Sequence, residues 1–527
     1  MKETPTALLP LQGPVFRMLW LAWLAANVSM WMNDVAAAWL MTSLTDSPVM
    51  VALVQAAATL PVFLLGLPSG AMADIVDRRK YFAATQLWVA VNAVMLCLCA
   101  LADVLSAQLL LTLTFVNGIG LAMRWPVFAA IVPDIVPKPQ LPAALALNGV
   151  AMNMSRVIGP IVAGALLASV GSAWVFALNA VLSVAAFVLI VRWRSEQKAS
   201  ALPGERFVGA MRVGLQHVLQ SPRMKAVLVR IFMFFLQSTS LTALLPLMAK
   251  RMDGGGAGTF TVLLAAVGAG AIVAALFLPG LRERFGRDEF VRYGTLTHAA
   301  MSVAVAFSPN VWLALPAMFV AGMAWISTAN SLTVAAQMSL PNWVRARGMA
   351  VYQMALMGGS AAGAALWGQV AGWTDVPTSI VIASIAGPLV LLLTRGLTLQ
   401  GGADEDFSPA RPANDPMPAI DVRADDGPVL ITIEYRIDPA NAEAFAAVMQ
   451  ETRRARLRQG ALSWGLFHDT EVPGRYVETL VDESWVEHLR RLERFTAADV
   501  GLRERRWAFH VGDGPPMVKR YVSQAMG

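Results

Sequence analysis

The chain has 527 residues, of which 56% are hydrophobic and only 14% are charged, and its formal net charge is +6. Soluble domains carry about 25% charged residues, so this composition excludes an ordinary soluble protein over most of the length. The basic excess does not indicate a nucleic-acid partner, because the lysines and arginines fall in short loops between apolar runs, where they orient membrane spans.

Apolar runs recur twelve times before residue 400, and each is long enough to cross a bilayer, which takes about 20 helical residues. With the loops on alternating sides, nearly all basic loop residues fall on one side, and only Lys250 and Arg251 on the other. This bias predicts a multi-pass protein of the plasma (inner) membrane, surrounded by the lipid bilayer, with both termini in the cytoplasm. The expected spans are 16–41, 48–70, 80–101, 106–132, 142–169, 172–193, 224–249, 257–281, 290–308, 311–337, 346–371 and 376–397.

Composition divides the chain into five parts. Residues 1–193 and 224–399 hold six spans each, and 194–223 forms the cytoplasmic loop between these halves. Within that loop, apolar residues on one helical face predict a helix that lies at the membrane surface or serves as a soluble linker. Residues 400–427 are rich in Gly, Pro, Ala and Asp, which is typical of a flexible linker. Residues 428–527 have the charge content of a soluble domain.

The predicted fold class is therefore an all-α polytopic membrane protein with twelve transmembrane helices in two six-helix halves, followed by a smaller α+β domain. In that domain, segments 429–436, 462–469, 475–482 and 517–522 predict strands, and helices fill most of the remainder. The order strand, helix, strand, strand, helix, strand is ferredoxin-like.

A charged segment separates the second and third spans, and we expect it to form a turn at the membrane face. It reads Gly70-Ala-Met-Ala-Asp74-Ile-Val-Asp77-Arg78-Arg79-Lys80. Its glycine, first aspartate and basic cluster resemble the loop between helices two and three of the major facilitator superfamily, although Ile75 and Asp77 depart from that pattern. The resemblance implies a gate that forms charge pairs in one access state. A basic loop that only orients the protein is the alternative.

The fifth span contains Gly159-Pro160 followed by Gly164, which resembles the Gly-Pro motif of exporters in this superfamily. Small residues allow close helix approach and proline bends a helix, so simple packing is the alternative. Over most of residues 10–400, the sequence resembles the enterobactin-exporter-like and macrolide-efflux branch. The resemblance implies export of a bulky hydrophobic small molecule, a siderophore or a drug, in exchange for protons. A nutrient importer remains a further alternative.

Charged residues at membrane depth usually face a partner or a water-filled cavity. Asp34 is the only carboxylate in the interior of a predicted span, and Arg124 and Arg156 lie inside the fourth and fifth spans. Burial favours the neutral form of a carboxylate, and a nearby arginine favours the charged form, so movement between states could load and release a proton. The alternative is a fixed Asp34–Arg156 ion pair. All three residues are candidates for proton coupling.

Amide, aromatic and methionine side chains recur within the spans at helical spacing. Such groups suit a bulky, partly apolar ligand, and together they predict a polar central cavity for a small hydrophobic substrate. The candidates for lining it are Asn27, Trp31, Met152, Asn153, Arg230, Gln237, Trp325, Asn330 and Tyr352.

The C-terminal domain resembles the small α/β-barrel domains of the antibiotic-biosynthesis monooxygenase type, through Ser484-Trp485-Val-Glu487-His488 after the strand that ends at 482. The resemblance implies a homodimer and makes Trp485 and His488 candidates for a pocket. The first strand lacks the asparagine of catalytic relatives, which favours a binding or dimerising module over a membrane-tethered enzyme. The two cysteines, Cys97 and Cys99, indicate neither a disulfide nor a metal site, and no cofactor is expected.

Overall fold

The computed structural model describes residues 6–193, 207–282, 286–341, 343–397, 406–408, 410 and 418–524, and the structural statements below concern these residues. Up to residue 397 the chain is helical, apart from short connections. The helices are α1 Pro14–Leu44, α2 Pro48–Ile75, α3 Arg78–Leu101, α4 Ala107–Ile135, α5 Leu141–Ser169, α6 Ser172–Arg192, α7 Phe207–Gln220, α8 Pro222–Arg251, α9 Ala257–Arg282, α10 Arg287–Ala306, α11 Val311–Met338, α12 Arg345–Trp373 and α13 Val376–Leu393.

Local sequence signals explain where several helices begin. The Asp77 carboxylate accepts hydrogen bonds from the backbone N–H groups of Arg79 and Lys80, at 2.9 and 3.2 Å, and so caps α3. Ser106 caps α4 in the same way, and Asp375 caps α13. These side chains satisfy amide groups that a first helical turn leaves without partners.

By length and composition, ten helices of the described chain could cross a membrane. They are α1 to α6, α8, α9, α11 and α13. Of the twelve spans expected from sequence, the ones at α10 and α12 fall outside this set. Helix α10 carries charges in its first two turns, beginning at Arg287, and these lower its hydropathy. Helix α12 has no charge after Arg347, and its hydropathy is low because glycines, Gln353 and Gln369 dilute its apolar residues.

The expected turn at residues 70–80 is shorter than predicted. Helix α2 continues to Ile75 and α3 begins at Arg78, so only two residues connect them. The backbone at Gly70 and Asp74 is therefore helical, and the side chain of Asp74 lies outside the described part of the structure. The alanines and methionine at 71–73 are good helix formers, which explains why the helix outlasts the apolar run.

The chain divides into two compact units. The first comprises 1–204, 227–335 and 350–399 and contains both helical halves. One apolar core joins the halves at the helix ends away from the basic loops, and it includes Met41 and Leu110 of the first half with Met248 and Val376 of the second. At the basic-loop end, a separate core draws its members from the first half alone.

The second unit comprises 205–226, 336–349 and 400–527. Its sheet is formed by β1 Val429–Arg436, β2 Ser463–His468, β3 Arg475–Asp482 and β4 Met517–Val522, in the antiparallel order β2-β3-β1-β4. Its helices are α14 Ala442–Arg458, α15 Trp485–Glu493 and α16 Ala497–Trp507. The small sheet domain and the order of its elements confirm the ferredoxin-like prediction for this part of the chain.

Helix α7 and part of the expected linker both pack within this second unit. Arg212 of α7 forms an ion pair with Glu483 at 2.6 Å. The carbonyl oxygens of Ala424 and Asp426 accept hydrogen bonds from backbone amides in the first turn of α15, at 2.9 and 2.8 Å. These linker residues are thus held against the domain, in contrast to the flexible linker expected from composition, because they satisfy helix-end amides that otherwise lack partners. Residues 194–206 of the inter-half loop lie outside the described residues.

Candidate functional site

Arg156 joins the two helical halves near the middle of α5. Its guanidinium carbon lies 5.4 Å from the ring centroid of Trp31 on α1 and 5.2 Å from that of Trp325 on α11. Both distances fall within the range of a cation–π contact. Because α1 and α5 belong to the first half and α11 to the second, this cluster is shared by the halves.

Glycine in the Gly-Pro motif positions the cluster. A Cβ atom at Gly159 would lie 2.5 Å from the Cβ of Trp31 and 3.1 Å from the carbonyl oxygen of Val28. Only glycine therefore lets α1 approach α5 closely enough to bring Trp31 beside Arg156, one turn away. A Cβ at Gly164 would collide with the side chain of Thr261 on α9, so this second glycine permits close contact between the halves.

The donors of this cluster lack protein acceptors. Within the described residues, Arg156 Nε and Trp31 Nε1 are buried and have no hydrogen-bond partner. Among the described residues Arg156 forms no ion pair, and its guanidinium lies over two indole rings. Buried polar groups are nearly always hydrogen-bonded in folded proteins, and two neighbouring unpaired donors therefore indicate a place for a ligand or water.

Asp34 follows Trp31 by three residues on α1, which places both residues on one helix face. It is only partly buried, and across the described chain it takes part in none of the ion pairs or hydrogen bonds. The neighbouring Asn33 differs, because its Oδ1 accepts a 3.1 Å hydrogen bond from Asn179. The alternative of a fixed Asp34–Arg156 ion pair is therefore wrong for this structure: the arginine instead lies over the rings of Trp31 and Trp325.

Arg124 is buried within the first half. Its Nη1 donates to Gln86 Oε1 at 3.3 Å, and its guanidinium carbon lies 5.4 Å from the ring centroid of Trp23. The Trp23 ring in turn stacks on Phe128 with centroids 3.8 Å apart. Arg124 therefore has contacts of its own and does not pair with Asp34 in this state.

The other cavity candidates lie apart from this cluster. Arg230 forms an ion pair with Asp288 at 2.9 Å and donates to the Leu397 carbonyl at 2.7 Å. Gln237 Nε2 lies 3.4 Å from Nδ1 of His298, a buried histidine of α10. These contacts link α8 to α10 and to the chain just beyond α13, within the second half, and they leave Arg230 Nε and Gln237 Oε1 buried without partners.

Two further candidates have local partners. Asn27 donates to the Trp23 carbonyl one turn earlier on its own helix, at 2.8 Å, and the hydroxyls of Tyr352 and Thr333 share a 2.9 Å hydrogen bond. Met152 lies one turn before Arg156 on α5 and is partly buried, as is Asn330 on α11. The side chain of the remaining candidate, Asn153, lies outside the described residues.

At the α2–α3 connection, the basic cluster contacts the end of α6. Arg79 Nη2 donates to the Val191 carbonyl at 2.9 Å. An arginine at this position complements the partial negative charge of a helix C-terminus. The gating function of Gly70, Asp74, Asp77, Arg78, Arg79 and Lys80 stays a prediction.

In the C-terminal domain, Trp485 and His488 lie in the packed interior. His488 Nδ1 lies 2.8 Å from Asp482 Oδ2, and its Nε2 accepts a 3.1 Å hydrogen bond from Arg520. Trp485 is part of the hydrophobic core of the domain. A ligand would have to displace one of these partners to reach the histidine.

The same domain contains a buried charge cluster that was not predicted from the sequence. Glu478 is fully buried, and its Oε1 accepts from Arg456 Nε at 3.0 Å and from Trp464 Nε1 at 3.1 Å, while Tyr435 donates to its Oε2 at 2.9 Å. Burial alone would raise the pKa of Glu478, but Arg456 and Arg506 hold it below its ordinary value. Strand alternation contained the signal, because Glu478 shares the inward face of β3 with Leu480.

Metal binding finds no support in the described residues, where no group of three His, Cys, Asp or Glu side chains could hold an ion.

The membrane part is a bundle of two halves that share an arginine–tryptophan cluster, and this architecture is that of a membrane transporter.

Comparison with known proteins identifies the family. The model of MFS_3, described as transmembrane secretion effector, matches residues 5–526, and the chain belongs to this family. The staphyloferrin A transporter of Staphylococcus aureus is 21% identical over 49% of this chain and 64% of that protein. The putative multidrug resistance protein MdtD of Salmonella typhi is 29% identical over 31% of this chain and 34% of that protein. The chain thus aligns with less than two thirds of either relative.

Solved structures share the fold. The nucleoside transporter NupG aligns with a TM-score of 0.56 at 13% identity, over 73% of this chain and 99% of that one. A bacterial homologue of the human lysosomal transporter Spinster, in an inward-facing and unoccupied conformation, aligns with a TM-score of 0.57 at 15% identity, over 74% and 96%. At this level of identity, these matches show that the chain shares their fold.

Proposed function

We propose that this protein is a twelve-span secondary transporter that exports a bulky hydrophobic small molecule, a siderophore or a drug, in exchange for protons. The names of two relatives, a staphyloferrin A transporter and a putative multidrug resistance protein, support this substrate range. The observation that carries the proposal is the cluster of Trp31, Arg156 and Trp325, because residues of both halves meet there around unpaired donors.

The way in which the halves join supports a mechanism of alternating access. Their shared apolar core lies at the helix ends away from the basic loops, and Lys250 donates to the Thr42 carbonyl across the halves there, at 2.9 Å. If the basic loops face the cytoplasm, this state opens inward. Rocking of one half against the other would separate the core and expose the central cluster on the opposite side.

Proton coupling is assigned to Asp34. A buried carboxylate favours its neutral form, and access to water or to a nearby cation favours its charged form. Because Asp34 has no fixed counter-ion in the described chain, its proton can respond to the change of state. Arg124 and Arg156 are the cations that a different arrangement of the helices could bring toward it, and protons are thus proposed partners.

The test is transport into everted membrane vesicles that contain the full-length protein. Ethidium, Nile red and fluorescein serve as cationic, neutral and anionic fluorescent probes, and uptake is followed with an inside-acid pH gradient and after nigericin collapses it. We expect gradient-dependent uptake of at least one probe, and loss of the gradient response in Asp34→Asn. The matched control is Asp46→Asn, because Asp46 is a fully exposed carboxylate just beyond the end of α1.

Two outcomes would contradict the proposal. Absence of gradient-dependent uptake for all three probes would argue against proton-driven export of such compounds. An unchanged gradient response in Asp34→Asn would remove this residue from coupling and direct attention to Arg124 and Arg156.

The C-terminal domain is proposed to be a dimerisation module. One face of its sheet lies opposite the domain core and exposes Phe467, Met517 and Tyr521, by 60, 56 and 47%. Exposed apolar surface of this kind is typical of an interface, and a second copy of the domain would cover it. Light scattering of the full-length protein in detergent, comparing wild type with Phe467→Asp, would detect the expected loss of dimer.

A further inference from the structure

The cluster formed by Arg156, Trp31 and Trp325 indicates the charge of the transported compound. A guanidinium group has five N–H donors that lie in its plane, whereas the contacts to Trp31 and Trp325 are made with ring faces. Cation–π contacts do not satisfy the donors themselves. Arg156 therefore keeps hydrogen-bonding capacity that the described residues leave unused, and its Nε is buried.

The charge balance of the cluster indicates a ligand that carries a negative charge. A cation at membrane depth is costly unless an opposite charge or a water-filled cavity compensates it. The ion pairs of the described chain supply no carboxylate to Arg156, and Asp34 is not in contact with it. A ligand with a negative group would supply the missing charge, and a carboxylate fits a guanidinium through two parallel hydrogen bonds.

The surroundings indicate the body of such a ligand. Trp325 packs edge-on against Phe235 with ring centroids 5.5 Å apart, so aromatic surface continues from the cluster along α8. Trp31 Nε1 adds a second unpaired buried donor beside the guanidinium. Flat apolar surface next to convergent donors suits a ligand that combines an aromatic group with an acid group.

We propose that Arg156, with Trp31 and Trp325, binds the acid group of an aromatic organic anion, with a carboxylate as the best fit. The inference rests on the proposed transport function and names the charge class of its substrate. Because the two indoles come from different halves, a ligand bound here contacts both and stabilises the state in which they are close. Arg156 is then a specificity-determining residue.

The experiment measures binding without transport. Purified full-length protein is unfolded thermally in detergent with 2-naphthoate, the neutral 2-naphthalenemethanol or the cationic 2-naphthylmethylammonium, since a ligand that binds the folded state raises the midpoint. We expect the largest rise with 2-naphthoate in the wild type. Arg156→Gln is expected to weaken naphthoate binding by about tenfold or more, with little effect on the alcohol, and Arg156→Lys should restore part of the preference.

The matched control is Arg124→Gln. Arg124 also contacts a tryptophan ring and has buried unpaired donors at Nε and Nη2, but its Nη1 donates to Gln86 and its ring partner, Trp23, belongs to the same half. This variant should start from a lower midpoint and keep the preference for naphthoate over the alcohol. A merely structural Arg156 would behave like the control, so its substitution would lower the unliganded midpoint and leave the preference unchanged.

Three results would overturn the inference: no preference for naphthoate in the wild type, an unchanged preference in Arg156→Gln, or strongest stabilisation by the cation. The proposed export function fails separately. Asp34→Asn should bind naphthoate like the wild type, because no gradient is involved. Absence of gradient-driven uptake by the wild type, together with an intact naphthoate preference, would remove the export proposal alone.

Discussion

Two charges at the centre of the membrane bundle differ from the charges in the core of the C-terminal domain. In the domain, Glu478 contacts Arg456, Trp464 and Tyr435, and Asp482 contacts both His488 and Arg491. In the bundle, Asp34 and Arg156 have neither an ion pair nor a hydrogen bond within the described chain. The comparison suggests that the first set of charges stabilises a fold and the second set awaits a mobile partner.

The physical basis is the cost of desolvation. Removing a charge from water costs several kcal/mol even in real proteins, about what a well-placed opposite charge and hydrogen bonds return. The domain meets this cost largely within its own sequence, because Glu478 and Asp482 have their partners in the absence of any ligand, although Arg506 Nε is buried without one. In the proposed mechanism, a proton at Asp34 and an anion at Arg156 would meet this cost in the bundle, and both would arrive and leave during transport.

The largest effect is expected from breaking the buried ion pair of the C-terminal domain. Glu478→Gln leaves Arg456 buried without its carboxylate, and breaking a buried ion pair costs about 3–5 kcal/mol. The domain should then open locally, and hydrogen exchange measured by mass spectrometry on peptides from β1 and β3 of the full-length protein should speed up.

The matched control for this change is Glu451→Gln. Glu451 pairs with Arg505, and both side chains are about half exposed, at 50 and 55%. Exposed pairs contribute at most about 1 kcal/mol, so exchange should barely change. Equal effects of the two substitutions would refute the distinction between buried and exposed charge pairs in this domain.

The second largest effect tests how Gly159 positions Trp31 beside Arg156. In Gly159→Ala the added methyl group meets Trp31 and the backbone of α1, and such overpacking costs about 1–3 kcal/mol. The midpoint of thermal unfolding should fall, and the naphthoate preference should fall with it, because Trp31 moves away from Arg156. Gly149→Ala on the same helix meets nothing within 4 Å and should leave both measurements unchanged.

Histidine protonation gives a third, smaller effect. Burial lowers the pKa of His488, with Asp482 opposing this and Arg491 adding to it, and burial lowers the pKa of His217 to about 4. The folded unit therefore keeps both rings neutral, whereas the unfolded chain takes up protons near pH 6.5. Stability must fall as the pH drops below about 6.5, by at most about 1.4 kcal/mol per histidine and pH unit.

Hydrogen exchange of peptides from β3, α14 and α15 at pH 7.5 and 5.5, corrected for the chemical rate, measures this loss. The lowered pKa values of Glu478 and Asp482 act only below about pH 4, where carboxylates of the unfolded chain take up protons, so they do not contribute in this window. His488→Gln should flatten the pH response. An equally steep response in that variant would exclude His488 as its source.

Sequence predicted the elements of this protein better than their contacts. The alternation of residues in 429–436 and 475–482 matches β1 and β3, and apolar runs predicted the long helices, because both patterns are local. The end of α2 at Ile75 was missed, since its last turn is set by helix propensity rather than by hydropathy. The contacts of residues 424–426 with α15 could not be predicted from the sequence either, because they form only in the folded domain.

The candidate site shows the same limit. Sequence could name Arg156 because charged residues inside spans are rare, and it could name Trp31 and Trp325 because they recur with polar residues at helical spacing. It could not show that Trp325, 169 residues further along, lies over the same guanidinium. It also favoured partners for Asp34 that the structure does not provide, since pairing is decided by the packing of α1, α4 and α5.

The smallest effect distinguishes two roles of the Asp77 carboxylate, capping of α3 and gating of transport. Its carboxylate caps α3, and replacing such a cap by alanine costs about 1 kcal/mol. Asn is as good a cap as Asp but has no charge, so Asp77→Asn should keep the thermal midpoint that Asp77→Ala lowers. If the charge also serves a gate, vesicle uptake will slow in Asp77→Asn although its stability is unchanged. Wild-type uptake in Asp77→Asn would mean that this carboxylate, like those of the C-terminal domain, serves the fold alone.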